Sequence, residues 1–333
     1  MKKEKTVKQI SVERGEFMRP AVEVEKTSKE IQQFVNSAKK INESNNLRIF
    51  VAGGARSGDD PIYEKEAFKL GEKIGKMRFR LFFGLAGVGI MGAVAKGVLK
   101  EWTKQNEKIA NPIKGFTTQL YMSFNTKKDS KIVDHVKDVM VAHTLEERKN
   151  GLLDADFVVF APGGLGTLDE LAYDCVAMQD GFLPLKPFIV FNVDGYYHHL
   201  LEYLKEIVQK GFARPVPFIV VDNAYEAGIV FEVLKEVYQK ETDRGNVFDF
   251  IEKLIYYMPY IFEKRKKNSK ASISTILKEL KEREEDLKFA VRVEKAYIRK
   301  ETERMYQRLE RAGQDTAAVS QKLSGLKQRK RNF

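Results

Sequence analysis

LRIFVAGGARSG, from Leu47 to Gly58, is a mainly apolar run that ends in a glycine-rich turn, and a helical pattern through Ala67, Leu70 and Ile74 follows it. The pairing recurs. FRLFFG from Phe79 leads into a second glycine-rich turn and the helix-like IMGAVAKGVLKEW. DVMVAHT from Asp138, DFVVFAPGG from Asp156, PFIVFNVDG from Pro187 and PFIVVD from Pro217 are further strand-like runs, with helical stretches between most of them. Apolar runs without polar alternation suit strands covered on both faces. Each crossover helix must return over one face or the other. The expected class is therefore α/β: a doubly wound, Rossmann-like, mostly parallel sheet with helices on both faces, spanning residues 47–240.

The flanks read differently. Residues 1–46 form a polar arm that ends in a helix, with Thr27 and Glu30 spaced as a capping box and Ile31, Phe34, Val35, Ala38 and Ile41 at helical spacing. Residues 241–333 read as a helical, basic extension. FDFIEKLIYYMPYIF is aromatic enough to bury, and the apolar positions from Ile276 to Leu309 follow a 3.5-like spacing that Glu284, Glu294 and Glu301 interrupt. The chain has 333 residues and a formal net charge of +11, but residues 261–333 hold 21 basic and 11 acidic residues and so carry almost all of the excess. The body is close to neutral, and its chemistry does not follow from a global basic field. Two basic clusters, 263–270 and 327–331, suit an acidic partner or a nucleic acid; a solvated helix with interspersed charge is the alternative.

One cysteine excludes an internal disulfide framework and points to a reducing, cytoplasmic compartment. No run approaches the roughly 18 apolar residues of a membrane span, and the first residues lack the apolar stretch of a signal peptide.

In an open parallel sheet, ligands sit outside the carboxyl ends of the strands. Three turns there are glycine-rich: GGARSG at 53–58, GLAGVGIMG at 84–92 and PGGLGTLDE at 162–170. Glycines let backbone approach a ligand closely, and a following helix presents free N–H groups to an anion. Three such turns on successive crossovers point to a phosphate-bearing ligand. In the third, Gly163, Gly164 and Gly166 can wrap an anion, and Thr167 is placed to cap the next helix. Asp169 and Glu170 then fall in the first helical turn. A carboxylate beside an anion site suits a ribose diol, and complementing the helix dipole is an equal alternative. Arg148 and Lys149, in HTLEERKNGL, sit near the start of a helix, where the dipole gives cations no help. An anion or a polar ligand group could compensate them, but on this position alone a solvated helix is the favoured reading.

Arg148-Lys149 followed by P-G-G-x-G-T-x-x-E from Pro162 to Glu170 resembles the LOG ("Lonely Guy") family of cytokinin riboside 5'-monophosphate phosphoribohydrolases, whose members are often labelled lysine decarboxylases. GGAR with Asp60-Pro61 and Tyr63 looks like the family's G-S-A-R and D-P-x-Y. Lys186-Pro187 through Asn192, Gly195, Tyr196 and Tyr197 looks like its K-P-x-x-x-x-N-x-x-G-Y-Y. The resemblance covers residues 47–235. It implies cleavage of the N-glycosidic bond of a nucleoside 5'-monophosphate to free base and ribose 5-phosphate, with Arg148 and Glu170 catalytic. It further implies that Gly163, Gly164, Gly166 and Thr167 hold the phosphate and Glu170 the ribose hydroxyls; Gly53, Arg56, Gly89 and Lys149 are the further candidates for the binding set, with a loop ion pair an equal reading for Arg56. No metal or redox cofactor is called for, and a homodimer or larger assembly is expected. The departures are Gly54 in place of the family's serine, Leu85 and Ala86 in place of two glycines, and Leu145-Glu146 ahead of Arg148. They leave open a second reading, a nucleotide-binding or sensing protein without turnover.

His143, His198 and His199 are too scattered for a metal site. Cys175 reads as a packed helix residue rather than a nucleophile.

Overall fold

Six of the apolar runs form strands: β1 (Arg48–Ala52), β2 (Arg80–Phe83), β4 (Asp138–Ala142), β5 (Phe157–Phe160), β6 (Phe188–Phe191) and β7 (Phe218–Val221). A seventh, β3 (Ile113–Thr118), had no counterpart in the apolar pattern. Its sequence IKGFTT carries a lysine, a glycine and two threonines, so hydropathy does not mark it. Thr117 and Thr118 are nonetheless buried, and β-branched residues suit a strand. This computed structural model describes residues 47–103, 111–125, 132, 135–179, 183, 186–213, 218–240 and 244–282. The helix expected at the end of the N-terminal arm, the basic cluster at 327–331 and most of the 3.5-like repeat lie outside them.

The seven strands form one sheet in the order β4-β3-β2-β1-β5-β6-β7, with every neighbouring pair parallel. β1 is central, with Ile49 in register with Leu81 on one side and Phe157 on the other. The chain moves outward from β1 to β4 and then returns to place β5 on the other flank of β1. That reversal opens a crevice above the carboxyl ends of β1 and β5. The residues of the inner strands are buried as the unalternating runs predict: Phe157, Val158, Val159 and Phe160 are all fully buried, as are Phe188 and Phe191, whereas β4, at the sheet edge, is only partly covered and leaves Val141 exposed.

The crossovers are helical: α1 (Pro61–Met77), α2 (Gly89–Thr103), α3 (Gln119–Asn125), α4 (Leu145–Leu152), α5 (Leu165–Gln179), α6 (His198–Gln209) and α7 (Ala224–Lys240). Asp60 caps α1 by accepting from the Ile62 N–H at 2.8 Å, and Pro61 occupies the first turn, where its missing N–H costs nothing. Two further helices follow, α8 (Arg244–Lys267) and α9 (Ile273–Glu282). The described residues fall into two compact units, the larger of 47–200 and 218–253 and the smaller of 201–213 and 254–282. Within the smaller unit, Leu254, Met258 and Ile261 of the aromatic segment are buried, and Glu279 on α9 accepts from Tyr260 and Lys264 on α8. No described helix is long and apolar enough to cross a membrane.

Candidate functional site

The three glycine-rich turns meet above the switch point and are tied by backbone hydrogen bonds. The Gly54 N–H donates to Pro162 O at 3.0 Å, and the Met91 N–H donates to Gly54 O at 3.1 Å. Gly89, which opens α2, has φ +61°, and a Cβ there would lie 2.5 Å from the Arg56 nitrogen. Only glycine fits this junction. Gly53 is buried beneath Ile90, whereas Arg56 is exposed on the turn itself. Gly164 and Gly166 face open space, since a Cβ on either would meet nothing within 4 Å.

α5 starts earlier than the motif suggested. The Leu168 N–H already donates to Gly164 O at 3.1 Å, so Gly164 is the capping position. Thr167 therefore lies inside the first turn rather than at the cap. It is buried, and the space above its Oγ1 is kept by Gly163, where a Cβ would come within 2.1 Å of that oxygen. Asp169 and Glu170 consequently fall in the second turn, beyond the stretch over which a helix dipole acts strongly, which weakens the dipole explanation for both acids.

Arg148 is placed by a helix cap that resembles a capping box, with the glutamate reaching one residue beyond the N-cap Thr144. Thr144 Oγ1 accepts from the Glu147 N–H at 3.0 Å, and Glu147 Oε2 accepts from the His143 N–H at 2.8 Å. The next residue, Arg148, then points back to the sheet. Its Nε donates to Phe116 O on β3 at 3.1 Å and its Nη1 to Glu170 Oε1 at 3.1 Å, while its guanidinium lies 5.8 Å from the Tyr121 ring centre. The helix is only eight residues long, so Arg148 sits in its middle and Lys149 in its last turn, where the dipole no longer disfavours a cation; the expected unfavourable position is not found, and Glu170 is simply the anion that pairs with Arg148. Both side chains are nearly buried, at 11% and 12% exposure. Burial pushes the Glu170 carboxyl upward, and the Arg148 charge pulls it partly back. Lys149 pairs with Asp169 at 2.7 Å and lies 4.7 Å from the Tyr173 ring centre.

Gly84 makes the pair possible, because a Cβ there would stand 2.3 Å from Arg148 Nη2. Beside it, buried Leu85 holds φ +57°, a left-handed conformation that favours glycine. Tyr196 and Tyr197 support the phosphate-loop candidate from below. The Tyr196 hydroxyl donates to Gly163 O and the Tyr197 hydroxyl to Ala161 O, while Tyr63 packs edge-on against Tyr196 at 5.7 Å. Asn192 Oδ1 accepts from the Tyr197 N–H at 2.8 Å. The motif residues Asp60, Tyr63, Asn192, Tyr196 and Tyr197 thereby acquire physical roles that spacing alone did not assign.

The roles of Gly84, Asp174 and Lys186 were also missed. Lys186, fully enclosed, donates to Leu153 O and Ala155 O at 2.6 and 2.7 Å; burial lowers its ammonium to about 8. Burial raises the Cys175 thiol to about 12, in keeping with a packed residue. Among the described residues no group of His, Cys, Asp or Glu is arranged to hold a metal ion.

Fold and site together define an α/β protein with an arginine–carboxylate pair beside a glycine-lined helix N-terminus at the switch point. A family model described as "Possible lysine decarboxylase" matches residues 91–228. The chain is 29% identical over 212 residues to the cytokinin riboside 5'-monophosphate phosphoribohydrolase LOG7 of Arabidopsis thaliana, covering 63% of this chain and 91% of that one. It is 30% identical to the probable cytokinin riboside 5'-monophosphate phosphoribohydrolase LOG4 of Oryza sativa subsp. japonica, covering 54% of this chain and 73% of that one. A solved structure, the molybdenum cofactor binding protein from Rippkaea orientalis, aligns with a TM-score of 0.41 at 22% identity, covering 58% of this chain and 98% of that chain. This chain belongs to the LOG family.

Proposed function

We propose that the chain is a nucleoside 5'-monophosphate phosphoribohydrolase: water adds to the anomeric carbon, the N-glycosidic bond breaks, and free base and ribose 5-phosphate leave. The observation that carries this reading is the nearly buried Arg148–Glu170 pair beside the open start of α5. The free N–H groups of that first turn, with Gly164 and Gly166 leaving space above them, suit the 5'-phosphate. Glu170, one turn further, falls where the ribose of such a ligand would lie.

The transition state of glycosidic cleavage is oxocarbenium-like, so a preorganised carboxylate beneath the sugar stabilises the developing positive charge. A carboxyl raised by burial is also a better base toward the attacking water. Arg148, fixed by the Phe116 carbonyl, orients Glu170 and can turn toward the ligand when a second anion enters. Proton balance is simple: the water proton passes to the solvent or the carboxylate, and the departing base nitrogen takes up one. Assembly as a homodimer or larger oligomer is part of the same reading.

A binding protein without turnover is the second reading, favoured by Leu85, whose buried side chain occupies a turn where the family pattern has glycine. Incubation of the purified protein with a panel of purine and pyrimidine nucleoside monophosphates separates the two. Release of free base from at least one supports hydrolysis; nucleotide binding without base release supports the second reading.

A further inference from the structure

One turn beyond Glu170 on α5, at a spacing that puts both residues on one helix face, stands Asp174. It is 1% exposed, and its Oδ2 has no hydrogen-bond partner among the described residues. The charged groups that face it are Glu170 and Asp169 from its own helix, Lys149 from α4 and Lys186 from the segment before β6. Both lysines are engaged elsewhere, Lys149 with Asp169 and Lys186 with two backbone carbonyls. Arg148, the remaining cation of the site, is bound to Glu170 and Phe116 O. An ionised Asp174 would therefore be a buried charge whose Oδ2 has no partner among the described residues, one turn from another carboxylate, an arrangement that proteins avoid by keeping a proton.

We propose that Glu170 and Asp174 act as a carboxyl pair that carries a single proton, with Asp174 its bearer and Glu170 the lone anion at the ligand. Asp174 is then a positioning residue for the hydrolysis proposed above, on which this role rests. It lies one turn further from the α5 N-terminus than Glu170 and acts through it. While Asp174 is neutral, the pair presents one negative charge, held toward Arg148. When Asp174 ionises, the second charge competes for Arg148 and Lys149 and loosens the geometry of Glu170. Burial first, and then the Glu170 charge, raise the Asp174 carboxyl to about 8, with Lys186 and Lys149 opposing. Titration of such a pair belongs to both groups together.

The test has two arms on the full chain. In protein carrying 13C at its aspartate carboxyls, one NMR resonance is expected to titrate near pH 8, and it is expected to be missing from Asp174→Asn. If every aspartate resonance titrates in the ordinary carboxylate range, the pair is refuted, whether or not the protein turns over any nucleotide. Should Asp174→Asn not fold, the wild-type titration alone decides this arm. The second arm is the pH profile of kcat. In wild type it is expected to fall about tenfold per pH unit above roughly pH 8, and in Asp174→Asn that fall is expected to be lost. A residue with a merely structural role would lower kcat at every pH and leave the profile unchanged; an unchanged alkaline limb refutes the positioning role. Absence of base release together with the high-pH resonance would refute the hydrolase reading and leave the carboxyl pair standing.

Discussion

Replacing Gly84 by alanine separates activity from stability at a single position. A Cβ at Gly84 would lie 2.3 Å from Arg148 Nη2, 3.2 Å from the Met91 sulfur and 3.6 Å from Arg148 Cζ. The severe clash is with the far end of a flexible side chain rather than with backbone. To reach an ordinary contact of about 3.4 Å, the guanidinium must withdraw by roughly 1 Å. Arg148 is anchored at Nε to Phe116 O, so the displacement falls mainly on the Nη1 to Glu170 Oε1 hydrogen bond, now 3.1 Å. A misplacement of about 1 Å in a catalytic group reduces rate by on the order of a hundredfold. The fold should hardly notice, because the clash is with the far end of a flexible side chain and not with backbone: a change within about 1 kcal/mol is expected. The assay is kcat and KM for base release, with urea denaturation alongside. A roughly hundredfold fall in kcat at nearly unchanged stability is the expected result. Activity within a factor of two of wild type would show that the observed Arg148–Glu170 geometry is not the working one.

Tyr196→Phe removes the hydroxyl that holds Gly163 O, which should weaken stability by about 1 kcal/mol and raise KM more than it lowers kcat, measured by denaturation and steady-state kinetics. Gly115→Ala would place a Cβ 2.4 Å from Leu85 Cδ1, an overpacking expected to cost about 1–3 kcal/mol; Leu85→Gly in the same chain should recover most of that increment, as a double-mutant cycle would show. Folded Asp174 keeps its proton to about 8, whereas the unfolded chain loses it near 3.8, so the unfolded state binds fewer protons between those values. Its contribution therefore makes stability fall as pH rises from about 4 to about 8, and Asp174→Asn should flatten that part of the profile in thermal melts.

The strand runs and the switch-point turns were legible because continuous apolar segments and glycines report burial and close approach directly. β3 was not, since the lysine and threonines of IKGFTT conceal a strand whose burial is set by its neighbours. The motif spacing brought attention to Arg148 and Glu170, but not to their direct contact, which depends on Gly84 and on the Phe116 carbonyl from that unseen strand. Thr167 looked like a cap because threonine precedes an acidic helix start; Gly164 O accepting from Leu168 moved the cap upstream. Asp174 carried no signal at all, because an acid on a helix reads as solvated until the sheet is laid against it. The charge excess of the tail likewise says nothing about the site.

In the proposed reaction the Glu170 carboxylate, held by Arg148, promotes hydrolysis of a nucleotide's glycosidic bond. The most direct measurement is product analysis of a nucleoside monophosphate incubated with wild type and with Glu170→Gln. Free base and ribose 5-phosphate are expected in equal amounts from wild type, and a rate lower by on the order of 10²–10³ for the variant, by analogy with loss of a preorganised charge-stabilising group. Equal rates for the two proteins, or no base from wild type with any nucleotide, would contradict it.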